Sequence, residues 1–129
     1  MSAGHARSAA RALAAGRMAL GTGLVLAPVA LGKPWLGDVA RAPGAKVALR
    51  ALGVRDVMLG GIALHVVDHG AAASRALQTN AVADLVDFGV TLAARRALPP
   101  TAAGVAGLAG GGAVSGVLLA RRLARRAPG

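Results

Sequence analysis

The chain has 129 residues, of which 55% are hydrophobic, 2% are aromatic and 19 are glycine. Lysine and arginine number 15 against 5 acidic residues, all aspartate, so the formal net charge is +10. The absence of cysteine excludes a disulfide framework, a thiolate metal site and a cysteine nucleophile. The polar residues form short clusters between long Ala/Gly/Val/Leu tracts. This pattern predicts one domain, residues 1–129, embedded in a membrane, because a nucleic-acid-binding chain keeps its basic residues on a polar face beside a modest core.

The first predicted helix covers residues 9–31. Its charge-free part, 18–32, reaches the length of a bilayer only together with the preceding turns, where Arg17 can snorkel toward the headgroups. We expect an uncleaved helix; a secretory signal peptide is the alternative, without a convincing cleavage site. Residues 32–46 contain Pro34, Pro43 and three glycines, which predicts a loop. Trp35 in that loop is either an interfacial anchor or an incidental aromatic residue.

The second predicted helix, residues 47–67, contains Arg50, Arg55, Asp56 and His65. A charge at the bilayer centre costs about 2.5–3.5 kcal/mol, so these side chains need partners inside the protein. Arg55 and Asp56 are consecutive and point about 100° apart on a helix, so we expect each of them to pair with another helix.

At the end of the second helix, His65, Asp68 and His69 resemble part of a metal site or a proton relay. They lack the third and fourth ligands that would make a metal site specific, which favours a solvated helix cap.

The third predicted helix, residues 76–94, has a polar stripe. Asn80, Asp84, Asp87 and Thr91 follow one another at spacings of four, three and four residues, which places them on one helical face. This face must turn away from lipid and line the interior of the bundle. We expect Arg55 to pair with Asp84 or Asp87 across the helix interface.

Six ionisable residues are therefore candidates for one buried network. Three are positive and three are negative, so a neutral set of ion pairs is expected. The six residues are Arg17, Arg50, Arg55, Asp56, Asp84 and Asp87.

The fourth predicted helix, residues 101–122, has the strongest membrane signal. Residues 97–120 contain no charge and end at Arg121 and Arg122, whose cluster continues through Arg126 as a headgroup anchor. Glycines at spacings of three and four, such as Gly107 and Gly111, predict a surface for close helix packing within the chain or between chains. No nucleotide-binding loop is indicated, because the lysine of that motif and a preceding strand are missing.

These elements predict an all-α, antiparallel, up-down bundle of four transmembrane helices with both termini on the same side. Seven basic residues flank the ends on the side of the termini and five flank the opposite ends. This small excess places the termini in the cytoplasm. The protein is thus expected to be a multi-pass protein of a bacterial inner membrane, with the lipid bilayer as its main partner.

The segment from Arg50 to Gly60 carries a recognisable pattern. It has the form Arg-x-x-Gly-x-Arg-Asp with a glycine four residues later, and Asp84 follows on the next helix. In this it resembles a family of small four-helix integral membrane proteins of high-GC, actinobacterial-type bacteria. The resemblance implies an inner-membrane location and carries no established activity.

The chemistry in the sequence is sparse, so a structural or accessory role with a buried Arg/Asp network is the first expectation. A homo-oligomer or a larger membrane complex would then be the partner, and no nucleic acid is expected, since a stacking platform is missing. The alternative is a small transporter or a ligand- or proton-binding protein. Its candidate binding residues are Arg55, Asp56, Asp84, Asp87 and Asn80. We expect no enzyme, cofactor or metal, because the chain shows no nucleophile beside a base and no ligand set.

Overall fold

The computed structural model describes residues 2–125, which contain five α-helices, one 3-10 helix and no strand. The all-α class is therefore confirmed. The helices are α1 (Ala3–Leu26), α2 (Pro28–Leu36), α3 (Pro43–His65), α4 (Gly70–Ala93) and α5 (Ala102–Ala124), and the 3-10 helix (Gly37–Arg41) lies between α2 and α3.

The predicted first helix is divided in two, which corrects the range 9–31. Helix α1 ends at Leu26, and Pro28 occupies the first turn of α2, where its missing N–H costs nothing. The axis of the chain bends by 104° at this break. The predicted loop at residues 32–46 is also wrong, since most of it belongs to α2, the 3-10 helix and the start of α3. Proline therefore marks the start of helices in this segment, because Pro43 likewise lies in the first turn of α3.

Helices α1 and α3 form one closely packed pair. A Cβ atom added at Gly21 would lie 2.5 Å from the carbonyl oxygen of Gly53, so the two backbones touch at this point. Two turns further along the pair, Gly60 lies against Ala14 and Met18 in the same way. Gly53 and Gly60 thus form a small-residue face on α3 that packs against α1.

Helices α4 and α5 form a second pair. An added Cβ at Gly116 would lie 3.2 Å from the Cβ atom of Ala81, and Ser74 donates a hydrogen bond of 3.0 Å to the carbonyl oxygen of Ala120. Gly107 and Gly111 have open space on their own side of α5. The glycine surface predicted on the last helix is therefore only partly used within the chain.

The two pairs join tightly at one end. Small and aliphatic residues from α1, α4, α5 and the end of α3 form an apolar cluster there: Ala6, Ala10, Val67, Ala73, Leu77, Leu119, Ala120 and Leu123. Because the first residues of α1 and the last residues of α5 share this cluster, both ends of the described chain lie on the same side. At the opposite end, Leu24, Ala40 and Leu49 form a smaller cluster with Trp35 beside it.

Among the helices of residues 2–125, only α5 is long and apolar enough to cross a membrane by itself. The bent pair of α1 with α2 and the 3-10 helix passes the same test when it is taken as one span. Charged and polar side chains lower the hydropathy of α3 and α4. Length and hydropathy thus support one or two spans, fewer than the four that were predicted.

The contact between Gly21 and Gly53 gives a test of the packing. Substitution Gly21→Ala is expected to lower the free energy of unfolding by about 1–3 kcal/mol, because the new methyl group meets backbone atoms of α3. The matched control is Gly61→Ala, where nothing lies within 4 Å of the added atom. There we expect no loss, or a gain of up to about 1 kcal/mol from helix propensity. Chemical unfolding in detergent, followed by circular dichroism, measures both; equal effects would contradict the close approach.

Candidate functional site

Arg17 on α1 is the centre of a buried ionic network. Its Nη1 atom donates a hydrogen bond of 2.9 Å to Oδ1 of Asp56 on α3, and its Nη2 atom donates to Oδ1 of Asp84 on α4. The side chains of Arg17 and Asp56 are 10% and 8% exposed, respectively. One guanidinium group therefore connects three helices and links the two helix pairs.

Arg55 forms the second part of the network. Its two Nη atoms donate to the two carboxylate oxygens of Asp87, at 3.1 and 2.6 Å, in the paired geometry that favours arginine with a carboxylate. The predicted pairing of Arg55 with Asp84 or Asp87 is confirmed for Asp87. Arg55 also donates to Oδ1 of the adjacent Asp56 at 3.2 Å. The expectation that these neighbours find partners only elsewhere is therefore wrong, because the long arginine side chain can curve back toward Asp56.

Two other predicted members lie apart from the charged centre. Arg50 is exposed, and its Nε atom donates to the carbonyl oxygen of Val25 at 3.2 Å. Asn80 is buried one turn before Asp84 on the same face of α4, but it does not line the cavity next to the network. Without Arg50, two guanidinium groups meet three carboxylates, so the predicted neutral network carries one excess negative charge.

A cavity of about 480 Å³ lies between the two helix pairs. Arg17, Asp56, Asp84 and Asp87 are at its charged side, with Thr91 above them on α4. Aliphatic residues from α1, α2, α3 and α5 form most of the remaining wall. They are Leu13, Leu20, Leu24, Leu31, Leu52, Val105 and Leu108.

Two carboxylate oxygens at this cavity have no protein donor in the described part of the chain. Arg17 and Arg55 bond Oδ1 of Asp56, and Arg17 bonds Oδ1 of Asp84, whereas Oδ2 of each aspartate accepts no hydrogen bond. Neither Oδ2 atom is fully enclosed, because no completely buried side-chain oxygen in residues 2–125 lacks a partner. Both oxygens thus remain accessible at a site where the rest of each side chain is buried.

Gly112 on α5 makes room for one of these oxygens. A Cβ atom added there would lie 2.5 Å from Oδ2 of Asp84, and Gly112 itself lines the cavity. Because Gly112 has no side chain, the carboxylate of Asp84 fits between α4 and α5. In the sequence, Gly112 is one of several glycines at packing distance on the last helix. Its contact with Asp84 depends on how α4 and α5 pack, so the sequence did not predict it.

Trp35 lies at the other end of the cavity. It is half-buried, and its Nε1 atom donates a hydrogen bond of 3.1 Å to Oγ1 of Thr91. Thr91 in turn donates to the backbone oxygen of Asp87 at 2.7 Å. Neither reading of Trp35 from the sequence, interfacial anchor or incidental loop aromatic, anticipated a side chain that connects α2 to the polar face of α4.

The cavity opens between the helices toward the outside of the bundle. Leu20 on α1, Leu31 on α2 and Leu108 on α5 line it and are 49%, 41% and 75% exposed. The rim of the opening is therefore aliphatic, although the opposite wall is charged.

The residues considered for a metal site are not assembled into one. No group of three or more metal-ligating side chains occurs within the described residues. Asp68 instead accepts two hydrogen bonds from Nη2 of Arg11, at 2.7 and 2.8 Å, near the start of α4. This exposed ion pair links α1 to the turn between α3 and α4. Of the predicted basic tail, Arg126 lies outside the described residues.

No protein-family model matches this chain, and no curated protein or solved structure is significantly similar to it. The function must therefore be argued from the cavity and its side chains.

Removal of the central guanidinium is expected to be costly. Arg17→Gln leaves two buried carboxylates without their main partner, and we expect a loss of about 3–5 kcal/mol in the free energy of unfolding. Arg50→Gln is the control, since Arg50 is exposed and bonded only to a carbonyl group, and should cost about 1 kcal/mol or less.

Thermal and chemical unfolding in detergent compare these two variants. Adding Asp84→Asn to Arg17→Gln removes one of the stranded charges and should restore part of the loss. Equal stability of the two single variants would show that Arg17 does not hold the helix pairs together.

Proposed function

We propose that this protein is a small integral membrane protein that binds an amphipathic small molecule in the cavity between its two helix pairs. The observation that carries the proposal is the combination of an aliphatic opening with a charged inner wall around about 480 Å³ of space. Ligand sites commonly combine a mainly apolar wall with a few polar groups that orient the ligand. A network that served only to hold helices in register would need no such space beside it.

The membrane setting is supported by what the bundle exposes. Large aliphatic side chains point outward along all four long helices, more than a water-soluble domain of this size normally tolerates. Fewer than a quarter of the residues in the apolar window of α5, 22%, are buried, which argues against its being the core helix of a soluble domain. Examples of the exposed side chains are Val54, Met58, Ile62, Val82, Leu85, Val86, Val90, Leu108, Val114 and Leu118.

The multi-pass topology is part of this proposal. Helices α3 and α4 fall short of a membrane span by composition, but their ionised side chains meet one another inside the bundle and need not face lipid. With the bent α1 and α2 and with α5, four passes would then be made. The excess of basic residues near the ends of the chain supports cytoplasmic termini, and the resemblance in α3 supports a bacterial inner membrane.

Access from the bilayer follows from the position of the opening. The exposed leucines at its rim would face hydrocarbon, so a lipid-soluble molecule could enter sideways without passing through water. The polar part of the molecule would then meet Arg17, Asp56 and Asp84. The cavity between the helix pairs is small, so binding is a better-supported activity than conduction.

Intrinsic fluorescence offers a direct binding test, because Trp35 is the only tryptophan in the chain and lines the cavity. N-phenyl-1-naphthylamine, an uncharged hydrophobic fluorophore, should quench Trp35 by energy transfer and saturate at one molecule per chain. Ala109→Phe fills the cavity from α5 and is expected to weaken this binding at least tenfold. Ala51→Phe, at an exposed position of α3 outside the cavity, is the control and should bind as the parent protein does.

Two results would contradict binding in the cavity. One is quenching that rises linearly with the probe, which indicates partition into detergent or lipid alone. The other is equal binding by the Ala109→Phe and Ala51→Phe variants.

A structural or accessory role remains the second candidate, and one observation favours it. Gly104, Gly107 and Gly111 form a strip on α5 where an added Cβ atom would meet nothing within 4 Å in the described chain. In a membrane, such a strip allows another helix to approach closely. This role also fits the ion pairs, which hold the two helix pairs together.

The mass of the protein in mild detergent tests this second candidate. A dimer that becomes monomeric with Gly107→Ile would support it. Gly61→Ile on α3, another glycine with open space, is the matched control and should leave the dimer intact. A strict monomer for the parent protein, with no partner recovered from the membrane, would contradict association through this strip.

A further inference from the structure

The charge of the cavity differs in sign from the charge of the chain. The chain carries a formal +10, whereas Arg17 and Arg55 face three carboxylates, from Asp56, Asp84 and Asp87, at the cavity. Other ion pairs are separate and exposed: Arg11 with Asp68, and Lys33 and Arg41 with Asp38. With all five groups ionised, one negative charge remains uncompensated at the buried site. An unpaired charge is costly in a medium of low dielectric constant, so the site favours an added positive charge.

The hydrogen-bonding groups at the cavity favour the same sign. Two acceptors at the cavity lack a protein donor, namely Oδ2 of Asp56 and Oδ2 of Asp84, on the two carboxylates that Arg17 bridges. The guanidinium groups of Arg17 and Arg55 are already ion-paired with carboxylates, so an anionic ligand would have to compete with these carboxylates for them. A ligand group with N–H donors would satisfy both oxygens.

The rest of the cavity favours an organic rather than a metallic cation. A bare metal ion needs a shell of several oxygen or nitrogen ligands, whereas most of this wall is aliphatic and no group of three metal-ligating residues occurs in residues 2–125. The wall instead suits a hydrocarbon body. Trp35 at the far end adds an aromatic surface to that apolar part.

We propose that the ligand is a monovalent organic cation, an ammonium group on an apolar body, whose N–H groups bind Oδ2 of Asp56 and Asp84. This rests on the proposed function, because it assigns the chemical class of the molecule that occupies the same cavity. The ammonium group neutralises the excess carboxylate, and the apolar body fills the space toward the aliphatic opening.

Three probes with the same chain length separate the effect of charge from that of hydrophobicity. Octylammonium, octanol and octanoate are each titrated against the bound N-phenyl-1-naphthylamine, with the protein in bilayer discs of zwitterionic phosphatidylcholine. Octylammonium should displace the fluorophore at a concentration at least tenfold lower than octanol does, and octanoate should be the weakest of the three. Because the lipid carries no net charge, the bilayer surface itself does not concentrate one probe electrostatically.

Aspartate variants locate the effect. Asp84→Asn keeps an oxygen for Arg17 but removes the excess charge, so octylammonium should lose its tenfold advantage while octanol still binds. Asp56→Asn is a second variant with the same expectation, in case the first folds poorly. Asp68→Asn changes an exposed aspartate outside the cavity and should leave all three probes unchanged.

The outcomes distinguish this inference from the proposed function. If octanol and octylammonium displace the fluorophore equally in the parent protein, the cavity does not prefer a cation and the cation assignment fails. If Asp84→Asn and Asp56→Asn both keep the preference, these two carboxylates do not bind the ammonium group and the assignment fails as well. If the fluorophore itself does not bind, the proposed function fails and the cation assignment fails with it. A preference of octylammonium that both aspartate variants abolish supports both proposals.

Discussion

The bridge that Arg17 forms between Asp56 and Asp84 is the interaction on which this arrangement depends. Helices α1 and α3 pack closely through glycines, and α4 packs closely on α5, but the apolar cluster that joins the two pairs lies at one end of the bundle. The middle is joined by guanidinium groups instead. Because a guanidinium reaches further than a methyl group, it can join two helix pairs while space remains beside it. The cavity and the ionic network therefore both follow from the use of arginine side chains to join the two helix pairs.

The sequence predicted the faces of the helices better than their ends or their contacts. The spacing of Asp84, Asp87 and Thr91 predicted a common face of α4, because residues three or four positions apart lie on the same side of a helix. In the structure this face is turned toward the interior of the bundle. The break at Pro28 was missed, since the hydrophobic run continues across it and a proline in a first turn leaves no polar signal. Arg50 was wrongly included in the network, because sequence spacing gives the face of a residue but not the distance to another helix.

Contacts between distant helices account for the rest of what could not be predicted. The sequence predicted Arg17 as a candidate charge, yet its pairing with two aspartates depends on how closely Gly21 approaches Gly53 and on how α4 packs beside α3. Trp35 reaches Thr91 only because the chain bends by 104° after α1 and folds α2 back over the bundle. Such contacts depend on how the helices pack in three dimensions, so the sequence alone did not predict them.

The count of charges also bears on which cations the cavity could accept. A monovalent ammonium would bring three carboxylates and two guanidinium groups to neutrality, whereas a divalent cation would leave a positive charge in a medium where an uncompensated charge is costly. An uncharged molecule would gain only from the apolar wall. The three aspartates would thus favour a cation over an uncharged molecule. The two arginines would disfavour a divalent cation, because each guanidinium already neutralises one carboxylate. In this view Arg17 both holds the helix pairs together and sets the valence of the ligand.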